Sequence, residues 1–297
     1  MLITPIILFL HGGPGSPVSS AAYYYQTKLE SDYTIVNWDQ RGSGRTYYEN
    51  PNLHIETELS AEILLRDIDD LIGYLTERFG QNKVIIIGTS WGTILGSHYT
   101  LEHPEKVSAY IGVGQTVDTM AGEALAKETA MKRATANGDK AYIENLSALF
   151  NKFSSSKESD MISFVKMRGL ISQYLSYDGE MSGLQIFWTG IISPDLSLRD
   201  ISWQALNMNL KKHFQLQTPL LPYLFDFNLY ESDTKYEVPV YFISEDNDWI
   251  TPYPLVEEYY QTVEAPDKEM ILIENTGHAT FLDDPAAFAE AVRRVLD

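Results

Sequence analysis

The sequence contains no cysteine. That excludes disulfides, thiolate metal sites and a cysteine nucleophile at once. Basic residues are also scarce: 22 Lys plus Arg stand against 41 Asp plus Glu, a formal charge of −19. A field of that sign repels phosphate backbones and anionic membranes, which argues against a nucleic-acid partner. No apolar run has the length of a bilayer span, and neither an internal repeat nor a low-complexity run occurs. The opening stretch Met1–Leu10 lacks the basic leading region and the small-residue cleavage site of a signal peptide. It reads instead as a buried strand running directly into His11-Gly-Gly-Pro-Gly15. What remains is a chain of 297 residues, 44% hydrophobic and 12% aromatic, long enough for one or two domains with a substantial core. The lack of cysteine is compatible with the cytoplasm, which is the expected location unless an export or anchor segment lies upstream.

The first 116 residues alternate strand and helix. Ile6–Leu10, Tyr33–Trp38, Val84–Ile87 and Val107–Val113 read as strands, and the β-branched run at Val84 reads as fully buried. Between them, Ala21–Leu29, a long segment capped by Ser60 and stopped by Gly80, and Trp91–Leu101 read as helices. Between residues 117 and 232 helical patterns such as Glu123–Ala136 and Asp139–Phe153 take over, interrupted by a Ser-rich hinge, Ser154–Ser159. Strands resume at Val238–Ile243 and Met270–Ile273, with a helix at Pro254–Val263 and a final one opened by Asp284-Pro285. The expectation is an α/β fold with a mostly parallel sheet and helices on both faces. Residues 1–116 and 233–297 would form the core and residues 117–232 an inserted helical cap.

The sharpest chemical signal is Gly88-Thr-Ser90-Trp-Gly92, which follows a buried strand and opens a helix. That context defines a nucleophile elbow: the turn is so sharp that the residues two places either side of the serine must be tiny. It would present the Ser90 hydroxyl at the carboxyl end of the sheet, with the Trp91 amide at a helix N-terminus to receive an oxyanion. His11-Gly-Gly-Pro-Gly15 also follows a strand, and an amide there would supply the other half of an oxyanion hole. Neither glycine pattern of a phosphate loop is present.

Six histidines are available as the base: His11, His54, His98, His103, His213 and His278. In this kind of fold the chain order is serine, acid, histidine, which selects His278, in a loop after the last strand. His213 falls inside the cap, and His98 and His103 lie in or just after the elbow helix. For the acid, Asp246 and Asp248 both fall in the loop after Val238–Ile243, with Asp118 as a third candidate; position alone does not separate the first two.

Taken together, His11-Gly-Gly-Pro-Gly15, Asp39-Gln-Arg-Gly-Ser-Gly-Arg45, Gly88-Thr-Ser-Trp-Gly92, Asp248-Trp-Ile-Thr-Pro252 and Gly277-His278 resemble the proline iminopeptidase branch of the α/β hydrolases. These are serine aminopeptidases that remove an N-terminal residue, often proline, from short peptides. The match covers roughly residues 5–116 and 236–297. The acid of that family is followed four places later by proline, which implies Asp248, and its oxyanion hole maps onto the Gly13 and Trp91 amides. Two departures stand out. The usual first strands are missing, so about six strands are expected rather than eight. The cap motif that holds the substrate amine has no match either; Asp178, Glu180 and Asp195 are candidates, but each reads more readily as a solvated surface charge.

The resemblance implies acyl transfer through Ser90, His278 and Asp248 on a short peptide or a small amide or ester, with no metal and no organic cofactor. The cap aromatics Tyr174, Tyr177, Phe187 and Trp188 are candidates for lining the substrate pocket or for forming cap core. Two other readings remain open: a carboxylesterase with the same triad, and a non-catalytic ligand-binding protein on the same fold.

Overall fold

The computed structural model describes residues 4–49, 59–155, 161–177 and 179–297. Among them one sheet has six strands: β1 (Ile6–Leu10), β2 (Thr34–Trp38), β3 (Val84–Thr89), β4 (Val107–Val113), β5 (Val240–Glu245) and β6 (Lys268–Ile273). The spatial order is β2-β1-β3-β4-β5-β6, and every pairing is parallel. Strands of a parallel sheet are covered on both faces, which is why β1 and β3 are buried throughout and read as unbroken apolar runs.

Alternate residues go to opposite layers. Ile6, Leu8 and Leu10 of β1 join Val84 and Ile86 of β3 in one core layer, while Ile7 and Phe9 join Ile85 and Ile87 in the other. The helices of the first half are α1 (Ala22–Tyr25), α2 (Gly44–Glu49), α3 (Ala61–Phe79) and α4 (Trp91–Glu102). Ser60 Oγ accepts a hydrogen bond from the Ile63 amide, and Gly80 ends α3 in a left-handed turn. In between, Leu64, Ile68, Ile72 and Leu75 bury one stripe against the first layer.

The helix expected over Ala21–Leu29 is split into a short α1 flanked by 3-10 turns. Ala21, Ala22, Tyr25 and Leu29 are still buried, as helical spacing requires. No side-chain cap holds the segment, and its run of three tyrosines is a weaker helix former than alanine or leucine. The short helix α2 was not expected from the pattern. It is started by Asp39, whose Oδ2 accepts from the Arg45 amide (2.7 Å).

Between β4 and β5 come α5 (Thr119–Ala136), α6 (Lys140–Ser155), α7 (Met161–Leu175), α8 (Gly183–Ile191), α9 (Leu198–Met208), α10 (Leu210–Gln217) and α11 (Leu221–Asp226). Helices α5, α6, α7 and α11 share their own apolar cluster, including Ala130, Leu146, Met167 and Leu221. Ser154 and Ser155 of the expected hinge finish α6, and Ser156–Ser159 lie outside the described residues. Arg45 of α2 forks onto the buried Asp200 of α9, fastening these helices to the sheet layer. The chain closes with α12 (Tyr253–Thr262), α13 (Thr280–Asp283) and α14 (Pro285–Leu296). Among the described residues no helix is long and apolar enough to cross a membrane.

The Ser60 cap gives a direct check on this packing. Ser60→Ala should lower the unfolding free energy by about 1 kcal/mol, seen as a lower urea midpoint at unchanged m-value. An unaltered midpoint would show that the bond to Ile63 contributes nothing.

Candidate active site

Ser90 sits between β3 and α4 at φ 52°, ψ −121°, one of two non-glycine residues with positive φ among those described. Holding such a conformation costs of order 1–3 kcal/mol, so the surroundings must impose it. They do so by close approach. A Cβ on Gly92 would meet the Leu10 carbonyl oxygen of β1 at 2.1 Å, and one on Gly88 would meet the Gly92 oxygen at 2.5 Å. The Ser90 amide donates to Val113 at the end of β4 (3.1 Å), and the Ser90 carbonyl accepts from the Thr93 amide (2.8 Å).

The loop after β1 lies directly on this serine: a Cβ on Gly12 would be 3.1 Å from Ser90 Cβ. Gln40 locks the two together. Its Nε2 donates to the His11 carbonyl (2.9 Å), its Oε1 accepts from Trp91 Nε1 (3.0 Å), and its amide donates to His11 Nε2 (3.2 Å). Nε2 therefore accepts, leaving the ring proton on Nδ1, where it meets the Gly12 carbonyl. Burial pushes the His11 imidazole down, consistent with a neutral structural ring. Gly13, at φ 122°, precedes a cis peptide to Pro14. Trp91 is the first residue of α4, so its amide has no intrahelical partner. Gly13, Ser90 and Trp91 all line one cavity of about 400 Å³.

His278 follows β6, and its Nδ1 donates to Asp248 Oδ2 at 2.8 Å. Asp248 follows β5 and is buried. Its Oδ1 accepts from the Ile250 and Thr251 amides (2.7 and 3.0 Å), and its Oδ2 also accepts from Thr251 Oγ1. Burial pushes the Asp248 carboxyl up, but the His278 charge and bond and the Thr251 bonds outweigh it and hold the group below the usual range. Gly114 ties this pair to the elbow: a Cβ there would sit 3.4 Å from Asp248 Oδ2 and 3.5 Å from His278 Cε1, one residue past the Val113 carbonyl that holds Ser90.

Asp246, two residues from Asp248, is exposed, and its carboxylate accepts from Asn247 and from the Thr276 amide. Asp118 caps α5 through the Ala121 amide (2.8 Å) and lines the cavity. His98 bonds to Tyr223 and Ser232, His103 packs on Tyr99, and His213 lines the far side of the cavity. His54 and Asp178 lie outside the described residues. Asp195 is exposed. Among the described residues, no group of three or more His, Asp or Glu side chains could hold a metal ion.

Tyr174, Phe187 and Trp188 are not what lines the cavity. Tyr174 packs on Tyr142 with its hydroxyl on Asp139, Phe187 packs on Trp188, and Trp188 is 53% exposed. The apolar lining includes Phe164, Val165, Leu221, Leu224 and Leu255. Tyr177 has a different task. Its hydroxyl donates to Asp283 Oδ2 (2.9 Å), which also accepts from the Gly277 amide (3.0 Å), and Asp283 Oδ1 accepts from Met181 (2.9 Å). The segment after α7 is thereby clamped to the His278 loop. This brings the half-buried Glu180 within the fields of Asp283, His278 and Asp248; burial pushes its carboxyl up.

Three features could not have been singled out by motif. Thr251 becomes visible only once Asp248 is known to be buried. The pair Glu123–Arg168 joins α5 to α7 with no local pattern. Glu245, the last residue of β5, is 1% exposed, and neither carboxyl oxygen has a hydrogen-bond partner among the described residues. Burial, with the charges of Asp248 and Asp283, pushes it well above the ordinary carboxylate range.

A family model for the alpha/beta hydrolase fold matches residues 5–285. A probable aminopeptidase of Bacillus subtilis, YbaC, is 29% identical over 98% of this chain and 88% of its own length. The proline iminopeptidase PfmaB of Pestalotiopsis fici is 24% identical over 99% of this chain and 92% of its own. The crystal structure of a proline iminopeptidase from Mycobacterium smegmatis superposes with a TM-score of 0.64 at 14% identity, covering 100% of this chain and 90% of that one.

The raised carboxyl of Glu245 has a testable sign. An unfolded glutamate loses its proton near pH 4.3, whereas the folded chain keeps it. Stability should therefore fall as pH rises above about 4.3, by about 1.4 kcal/mol per pH unit until the folded group ionises. Glu245→Gln removes that slope. Urea midpoints between pH 5 and 7 should show the variant gaining on the wild type with rising pH, whatever the constant offset; parallel curves would mean that Glu245 ionises normally.

Proposed function

The chain belongs to the α/β-hydrolase fold family, and from that premise we propose that it is a serine aminopeptidase releasing N-terminal residues from short peptides, in the manner of proline iminopeptidases. The observation that carries this reading is the strained Ser90 on the cavity wall, joined through the end of β4 to a histidine that is already bonded to a buried carboxylate. In the proposed reaction His278 takes the Ser90 proton through Nε2 as the oxygen attacks the carbonyl. Asp248 fixes the Nδ1–H tautomer and stabilises the imidazolium. The oxyanion sits against the Gly13 and Trp91 amides, at the positive end of α4. His278 then passes the proton to the leaving amine, and water hydrolyses the acyl-enzyme by the same route in reverse order.

In this reading residues 117–232 are a cap over a core of residues 1–116 and 233–297. The support is that the cavity takes Ser90, Trp91 and Thr251 from one and Phe164, Asn207 and Leu221 from the other. An aminopeptidase needs a carboxylate for the substrate's ammonium group. Among the described residues Asp118 is the carboxylate lining the cavity, and Glu180 lies within the fields of His278 and Asp248. The relatives named aminopeptidase and proline iminopeptidase favour this class over the carboxylesterase that the same three residues could serve.

The first test is a matched pair of substrates, prolyl-naphthylamide with a free amine and its N-acetylated form, with Ser90→Ala alongside. Cleavage of the free-amine form alone, abolished in the variant, is the expected result; turnover of the blocked form would point to the esterase reading. Asp248→Asn should lower kcat by roughly 10⁴-fold. Asp118→Asn keeps the helix cap while removing the charge, and should raise KM for the free-amine substrate by about tenfold with little change in kcat. No change in KM would move the amine site to Glu180.

A further inference from the structure

We infer that Arg168 makes this cavity selective for substrates with a free carboxylate, so that unblocked short peptides are taken in preference to their C-terminal amides. The inference rests on the reading of the Ser90 cavity as the substrate site. The wall around it is mainly apolar, and among the described residues Arg168 of α7 is the guanidinium that reaches it. Both Nε and Nη2 of Arg168 donate to one oxygen of Glu123, Oε1, the first at 2.8 Å. Glu123 is 2% exposed, while the Arg168 side chain keeps 30% of its surface. The guanidinium also lies over the Phe164 ring, 4.4 Å from its centroid.

Two neighbours thus fix the plane of Arg168. Glu123 occupies the Nε/Nη2 edge, and neither of these bonds uses Nη1. A planar fork held rigid in an apolar wall is the arrangement that recognises a carboxylate, because its N–H groups match the two oxygens and little side-chain entropy remains to be lost. Glu123 on that edge supplies the counter-charge that lets Arg168 be partly desolvated without a ligand. With a net charge of −19 the protein repels anions at long range, so the guanidinium has to outweigh that field at contact. Asp118 lines the same cavity. One carboxylate and one guanidinium in about 400 Å³ complement a molecule with an ammonium group and a carboxylate a few bonds apart, which describes an unblocked di- or tripeptide.

A pair that merely braced α5 against α7 would have no effect on which substrate is chosen, and that separates the alternatives. The experiment compares alanyl-glycine and prolyl-glycine with their C-terminal amides, following kcat and KM in the wild type, Arg168→Gln and Arg168→Lys. The double variant E123Q/R168Q guards against misfolding, since it leaves no buried carboxylate without its cation. The expected result is a preference of about tenfold or more for the free acid in the wild type, carried by KM. The acid-to-amide ratio should fall to near one in Arg168→Gln and in the double variant, with Arg168→Lys in between. Equal use of acid and amide by the wild type, or an unchanged ratio in the variants, would overturn the proposal. If no peptide is cleaved, the peptidase reading fails by itself. Calorimetric titration of Ser90→Ala protein with the same acids and amides then decides the subsite separately. Tighter binding of the acids that is lost in S90A/R168Q supports it, and equal binding or none overturns it.

Discussion

Helix α4 approaches β1 so closely that position 92 has no room for a side chain. Much of the candidate site depends on this contact. It drives the N-terminus of α4 under the end of β3, forces Ser90 into positive φ, and leaves the Trp91 amide in the first turn of α4, at the positive end of the helix dipole. The strain is held because the elbow is braced on two sides: by the Val113 carbonyl of β4, and through Trp91 and Gln40 by the loop that carries Gly13. The glycine-rich loop after β1 and the Asp39–Arg45 segment therefore belong to one device. Gln40 is the bolt between them.

The acid side of the site is built by environment rather than by residue type. Glu245 and Asp248 are carboxyl groups three residues apart on one strand end, both buried, and burial alone would neutralise both. Asp248 escapes because His278 and Thr251 stabilise its anion; Glu245 has no such partners among the described residues, and burial pushes its carboxyl well above the ordinary range. Two carboxyls whose surroundings push them in opposite directions can have separate tasks. Asp283 adds a further constraint by binding the His278 loop and the segment after α7 through one side chain, so that the histidine and the nearby Glu180 move together if they move at all.

The sheet was legible in the sequence because a parallel strand covered on both faces must be apolar along its length, as Ile6–Leu10 and Val84–Ile87 are. The elbow was legible because its sterics leave almost no choice at Gly88 and Gly92. Helix α2 was not, since it is started by the Asp39 carboxylate six residues before Arg45 and not by a periodic apolar face. Asp246 and Asp248 looked alike because a loop position says nothing of burial; the family's spacing to Pro252 pointed to Asp248, the one bonded to His278. The cavity lining was not legible. Tyr174 and Trp188 carry suitable chemistry, but the helices turn them elsewhere, and residues such as Leu224 and Arg168, unremarkable in the sequence, face the space instead.

The order of the strands has a consequence for the growing chain. Ser90 and the Gly13 loop belong to the first four strands, whereas Asp248 and His278 follow β5 and β6. The pairing of β4 with β5 must close the whole stretch between Val113 and Val240, one of the slower kinds of contact to form. A polypeptide emerging from the ribosome therefore carries Ser90 for most of its synthesis before His278 is made. On the proposed reading, hydrolytic competence would arrive as a single late event, when the last two strands dock.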